Sequence, residues 1–120
     1  MKGYVQFGDI YCDQGMLEEA VSSYTKALQI DPCDRVYVSL GNAHMERNDT
    51  EQAIAAYEEA IRINPQQPFR VYKKLGDCFK KNNNSKGAID AYSEALRIRP
   101  DSPKLRNILK RLKTKDICLL

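Results

Sequence analysis

The sequence predicts an all-α protein: three helical hairpins in a row, closed by one further helix. Two observations carry this. Gly8, Gly41 and Gly76 each stand three residues before a ring (Tyr11, His44, Phe79), twelve before an alanine (Ala20, Ala53, Ala88) and sixteen before a tyrosine (Tyr24, Tyr57, Tyr92). A second alanine (Ala27, Ala60, Ala95) and a proline (Pro32, Pro65, Pro100) complete each copy, and the glycines lie 33 and then 35 residues apart. Self-similarity at that period marks a stacked repeat array. Within each copy, moreover, the apolar residues recur at three- and four-residue steps, the spacing of an amphipathic helix face.

In the first hairpin, Tyr4, Phe7, Gly8 and Tyr11 form one face of the first helix, and Leu17, Ala20, Val21, Tyr24, Ala27 and Leu28 do so for the second. Gly8 and Ala20 lack bulk, so the two backbones can approach and the rings pack over the gap. Ala27, Ala60 and Ala95 serve the contact with the following hairpin. Gly15, Asn48 and Asn83 fall at the ends of the first helices, where a left-handed residue is wanted. Asp49 and Asn84 suit the N-caps that follow, and Gln52 completes a capping box with Asp49. The prolines end the second helices, because proline disfavours the helical conformation of the residue before it. Gly87 weakens the third hairpin's second helix by roughly 1 kcal/mol relative to alanine, so a late start is expected there.

After Pro100 the pattern changes. Ser102-Pro103 is a helix start with proline at the first helical position. Leu105, Ile108, Leu109 and Leu112 form an apolar stripe, with Lys104, Arg106, Lys110, Arg111 and Lys113 facing out. An open array needs such a polar-backed cap. The front shows no equivalent, which suggests a longer parent chain or a front face that pairs with something. Thr114 to Leu120 are expected to fray.

These residues resemble the tetratricopeptide (TPR) repeat family, whose helix-turn-helix units average 34 residues; the resemblance runs from Met1 to about Pro100. It implies a right-handed superhelical α-solenoid, with repeats at 1–33, 34–68 and 69–102 and a capping helix and tail at 103–120, forming one domain. Against the family norm the Pro32 connection is one residue shorter and the Pro65 connection one longer, which should tilt the hairpins unevenly. The family's usual work is docking peptides as an adaptor or scaffold, with the first helix of each hairpin lining a concave groove. Carried over by the glycine register, that groove holds Lys2, Val5, Asp9, Cys12 and Asp13 from the first unit and Arg35, Val38, Asn42, Met45 and Glu46 from the second. Arg70, Lys73, Lys74, Asp77, Lys80 and Lys81 come from the third. Asp9, Asn42 and Asp77 follow the glycines and form a polar ladder able to hydrogen-bond an extended peptide, or simply to solvate a helix face. In chaperone-binding members, basic residues at the places of Arg70 and Lys74 help hold a C-terminal carboxylate. The chain departs from that clamp at Val5, Asp9 and Ser39, where the family pattern has lysine, asparagine and asparagine.

Charge sharpens the expectation. The net charge of +3 hides a gradient: residues 1–33 and 34–68 each balance at −3, residues 69–102 at +4 and residues 103–120 at +5. The cluster around Arg70, Lys73 and Lys74 favours an acidic peptide segment, and the acidic front and basic back allow head-to-tail self-association. Cys12, Cys33, Cys78 and Cys118 fit no metal-ligand spacing, and His44, the only histidine, takes a ring position between helices. No nucleophile has a partner base in the pattern, no glycine-rich phosphate loop occurs, and no nucleic-acid motif is present. The expectation is therefore a non-enzymatic, cofactor-free and metal-free protein-binding module. With no apolar run near the ~20 residues a membrane span needs and no hydrophobic leader, it reads as soluble and cytoplasmic, without nucleic-acid or membrane partners.

Overall fold

The computed structural model describes the backbone of residues 2–119 and the side chains of residues 3–114. The chain divides into two compact units, Met1–Gln66 and Gln67–Leu120. The first holds α1 (Lys2–Asp13), α2 (Leu17–Ile30), α3 (Asp34–Glu46) and α4 (Thr50–Ile63), each packed on the next. The second holds α5 (Phe69–Lys81), α6 (Ser85–Ile98) and α7 (Pro103–Leu119), again packed in sequence. Among the described residues no helix is long and apolar enough to cross a membrane.

All three hairpin turns are built alike. Gly15, Asn48 and Asn83 take positive φ (74°, 64° and 59°). The amide of the next residue donates back to the carbonyl of the ring residue: Met16 to Tyr11, Asp49 to His44 and Asn84 to Phe79, each at 2.8 Å. With the bonds from Gly15 to Cys12, Asn48 to Met45 and Asn83 to Lys80, this is the Schellman arrangement, which satisfies the last carbonyls of the first helix. The N-caps differ. Asn84 accepts from the Gly87 amide at 2.9 Å, whereas Asp49 makes no cap bond. Its carboxylate is drawn instead to Arg47 Nε at 3.4 Å, so the expected capping box with Gln52 does not form.

The second helices stop where expected: Asp31, Asn64 and Arg99, the residues before the prolines, leave helical geometry while their amides still bond to Ala27, Ala60 and Ala95. One expectation about these helices is corrected. The helix α6 begins at Ser85, two residues past the left-handed turn residue as in the other hairpins. Gly87 does not delay it; a Cβ there would stand 2.8 Å from the Phe79 ring, so the missing side chain makes room for that ring. The backbone of α7 is helical to Leu119, with no glycine or proline after Pro103 to interrupt it. Leu120 lies outside the described residues.

In the first unit the core joins Ala20, Tyr24, Ala27 and Leu28 of α2 to Val36, Leu40 and Ala43 of α3 and Ala56 of α4. In the second, Val71, Tyr72, Leu75 and Cys78 of α5, Ala88, Ala91, Tyr92 and Ala95 of α6, and Leu105, Leu109 and Leu112 of α7 are buried. The five cations Lys104, Arg106, Lys110, Arg111 and Lys113 of α7 are all exposed, as its stripe predicts. Ser102 Oγ accepts from the Leu105 amide at 3.4 Å. Arg106 donates to the Pro100 carbonyl at 2.6 and 3.2 Å, clipping α7 to the segment that leads into it.

Candidate functional site

The first helix of every hairpin is positioned by one clasp. A Cβ built on Gly8, Gly41 or Gly76 would lie 2.6–2.7 Å from Cε1 of Tyr24, Tyr57 or Tyr92. Only glycine lets that ring lie against the backbone. The hydroxyl then reaches the next residue along: Tyr24 donates to Asp9 Oδ1 at 2.5 Å, Tyr57 to Asn42 Oδ1 at 2.5 Å, and Tyr92 to Asp77 Oδ1. Burial, and then the bond to the carboxylate, push the Tyr24 and Tyr92 phenols well above the usual tyrosine range. The polar ladder is thus first a latch inside each hairpin, with one oxygen of every rung already engaged. Sequence reasoning placed the rungs without finding their partner. The signal was present, since tyrosine follows each glycine by sixteen residues in all three copies.

In the first unit the surface of the first helices is acidic and thiol-bearing. Asp9 is exposed, while Asn42, Val38 and Met45 are half-buried and Arg35 is exposed. Cys12 of α1 lies within electrostatic reach of Glu46 on α3 as well as Asp9 and Asp13. Burial raises the Cys12 thiol, the Tyr24 hydroxyl at 3.8 Å opposes the rise, and the three carboxylates add to it. Such a thiol is a poor nucleophile. Cys78, fully buried, is pushed up to about 11 by burial and by Asp77.

In the second unit α5 separates its two faces sharply. Val71, Tyr72, Leu75, Gly76 and Cys78 are buried. The opposite side carries Arg70, Lys73, Lys74, Asp77, Lys80 and Lys81, so five cations share a surface with one carboxylate. Arg70, Lys80 and Lys81 are exposed; Lys73, Lys74 and Asp77 are half-buried. Lys73 Nζ stands 3.5 Å from Asp77 Oδ2, so Asp77 joins the tyrosine latch on one oxygen and a lysine on the other. Arg70 makes no ion pair among the described residues. The structure therefore gathers the six predicted residues of the third hairpin on one helix face, and Asp9, Arg35, Val38, Asn42 and Met45 within the first unit.

His44 sits at the α3–α4 turn with its side chain only 12% exposed and Nδ1 3.8 Å from Asp49 Oδ2. Nδ1 is buried, with no hydrogen-bond partner among the described residues. Burial depresses its basicity more than Asp49 restores it. The ring occupies the place of Tyr11 and Phe79, in keeping with a packing role.

Comparison with known proteins agrees with this architecture. The tetratricopeptide repeat model matches residues 5–68 and again residues 38–103. Among the curated proteins no sequence matches. Among solved structures the chain is similar to MamA, at 24% identity and a TM-score of 0.86, with 96% of this chain and 67% of that one covered. It is also similar to the first TPR of Spaghetti (RPAP3) bound to the HSP90 peptide SRMEEVD, at 20% identity and a TM-score of 0.82, over 93% of this chain and 89% of that one. YrrB, described as a TPR protein with an unusual peptide-binding site, is 21% identical with a TM-score of 0.83, over 94% of this chain and 58% of that one. With family matches running from residue 5 to residue 103, and the seven helices of the described residues accounted for by three repeats and a cap, the chain belongs to the tetratricopeptide repeat family.

Proposed function

We propose that this chain is a protein-interaction module that holds an acidic peptide segment, chiefly through the exposed face of α5. The observation that carries the reading is the charge of that face: Arg70, Lys73, Lys74, Lys80 and Lys81 against Asp77 alone. A prefolded helix presents these cations without ordering a loop, so less of the interaction energy is lost to entropy. Arg70 offers a two-pronged donor to a carboxylate, and the lysines supply point charges around it. Asp9, Arg35, Val38, Asn42 and Met45 lie on the first helices of the two preceding repeats. Two related folds support a peptide ligand: one was solved with SRMEEVD and another is described by its peptide-binding site. Asp9 repels carboxylates where chaperone-binding relatives carry asparagine, so the hold falls on the third repeat.

In this reading the repeats span 1–33, 34–68 and 69–102, with 103–120 as the cap. The protein works by holding rather than by catalysis, in a reducing cytoplasm where Cys12, Cys33 and Cys78 stay as free thiols. The test is fluorescence anisotropy with an acidic peptide pool, comparing the native chain with Arg70→Ala/Lys74→Ala. Loss of affinity of about tenfold or more, with a shallower salt dependence, is expected, since charged hydrogen bonds are worth ~1.5–3 kcal/mol each. Unchanged affinity and unchanged salt slope would end the proposal.

A second reading, association of copies head to tail, is favoured by one observation on a different surface: α1 exposes Phe7 and Ile10 to 54% and 50%.

A further inference from the structure

That exposure gains meaning from the register of the first helices. In α3 the side chains at i, i+4 and i+7 that meet the core are Val36, Leu40 and Ala43, exposed by 4%, 9% and 1%. The same spacing gives Val71, Leu75 and Cys78 in α5, and Leu105, Leu109 and Leu112 in α7, all buried. In α1 it gives Gly3, Phe7 and Ile10, all exposed. The face of α1 thus matches one that is buried in α3, α5 and α7. Its exposed residues Gly3, Gln6, Phe7 and Ile10 carry no charge, unlike the five cations on the outer side of α7.

On α3 and α7 this face meets a second helix of a hairpin: α2 packs on α3, its Ala20, Tyr24, Ala27 and Leu28 sharing a core with Val36, Leu40 and Ala43, and α6 packs on α7. The two covering helices are alike residue by residue. Ala20, Val21, Tyr24, Ala27 and Leu28 of α2 stand where α6 has Ala88, Ile89, Tyr92, Ala95 and Leu96. The surface of α6 that α7 occupies is therefore of the kind that accepts a first helix. By its register α7 is such a helix, but one that ends the array: Lys110 stands where Gly41 lets a tyrosine ring approach.

We propose that α1 of a second copy and the chain's own α7 are alternative occupants of α6, so that α7 is a displaceable cap on head-to-tail assembly. The inference rests on the head-to-tail reading and adds to it the two surfaces and the gate. Charge assists the pairing: residues 1–68 balance at −6, and residues 69–102, which remain in place when α7 leaves, at +4, which favours a front meeting a back over two fronts or two backs. The four residues from Arg99 to Ser102 tether α7 to α6, giving it an effective concentration on the order of millimolar. The Arg106 bonds to the Pro100 carbonyl hold that tether closed. The native chain accordingly stays monomeric at micromolar concentration, and weakening α7 opens the site.

The test uses three full-length chains whose masses are followed by light scattering: the native protein, Leu105→Ala/Leu109→Ala, and that variant with Phe7→Glu added. The expected result is a monomer of 13.7 kDa for the native chain and concentration-dependent oligomers for the cap-weakened one. The Phe7→Glu version should be monomeric alone. Mixed with the native chain, it should form a one-to-one complex, its open α6 receiving the native α1. Circular dichroism confirms folding, and Arg106→Ala, which cuts only the clip, replaces the double alanine variant if helix is lost. If folded cap-weakened chains stay monomeric, or their oligomers ignore Phe7→Glu, the proposal fails. A native chain that pairs through two copies of α1 also overturns it, because the Phe7→Glu variant would then bind nothing. A native chain that assembles head to tail with α7 in place removes the cap while leaving the head-to-tail reading standing.

Discussion

Replacing Gly41 with alanine pits two effects of known sign against each other. Helix propensity alone predicts a gain of about 1 kcal/mol for glycine to alanine within a helix. The structure predicts a loss. The new Cβ would lie 2.7 Å from Tyr57 Cε1, and ordinary contact begins at 3.4 Å, so something must yield by 0.7 Å. The ring has nowhere to go: Tyr57 is 0% exposed and its hydroxyl is tied to Asn42 at 2.5 Å. Overpacking of this kind costs about 1–3 kcal/mol. Set against the propensity gain, the net result is a destabilisation of up to ~2 kcal/mol. Urea unfolding followed by circular dichroism gives the midpoint and slope from which this is read. Gly3→Ala is the control, since nothing lies within 4 Å of its added Cβ; it should be neutral or stabilising by at most ~1 kcal/mol. If Gly41→Ala stabilises the chain as much as Gly3→Ala does, the clasp is not what holds the hairpin together.

Three further outcomes are expected. Tyr57→Phe removes a bond to a neutral amide and should cost about 0.5–1.5 kcal/mol, whereas Tyr24→Phe, whose partner is the Asp9 carboxylate, should cost about 1.5–3 kcal/mol by the same urea assay. Because the phenols of Tyr24 and Tyr92 are raised in the folded state, their contribution is intact below the usual tyrosine range near 10 and is lost as pH rises above it. Ultraviolet titration should then show these two rings ionising only on unfolding. For His44 the sign is opposite: burial lowers its pKa, so the unfolded chain binds the extra proton. Stability is complete above about pH 6.5 and declines below it, and His44→Phe, which copies Phe79, should flatten the melting temperature between pH 5 and 7.

The hairpins were legible because their signals are local. Glycine and tyrosine sixteen residues apart, a left-handed residue at each turn and a proline at each exit all act within one repeat. The misreadings came from side chains with a choice of partner. Asp49 and Asn84 occupy the same position, yet Arg47 two residues before Asp49 takes its carboxylate, while Asn84, uncharged, remains on the backbone. Gly87 looked like a weakness because propensity says nothing about the Phe79 ring resting above it. For the candidate site, the cations of α5 follow from helical spacing alone. That Asp9, Asn42 and Asp77 spend an oxygen on a tyrosine depends on how two helices meet, which spacing along one of them does not reveal.

The clasp of ring on glycine, with its latch to the next residue, begins and ends inside one hairpin. A duplication or exchange of a whole unit would therefore carry every part of its own fastening with it. Descendants of such an event could diverge at Arg35, Val38 or Arg70, none of which takes part in the fastening, and acquire new specificities while the framework stayed sound.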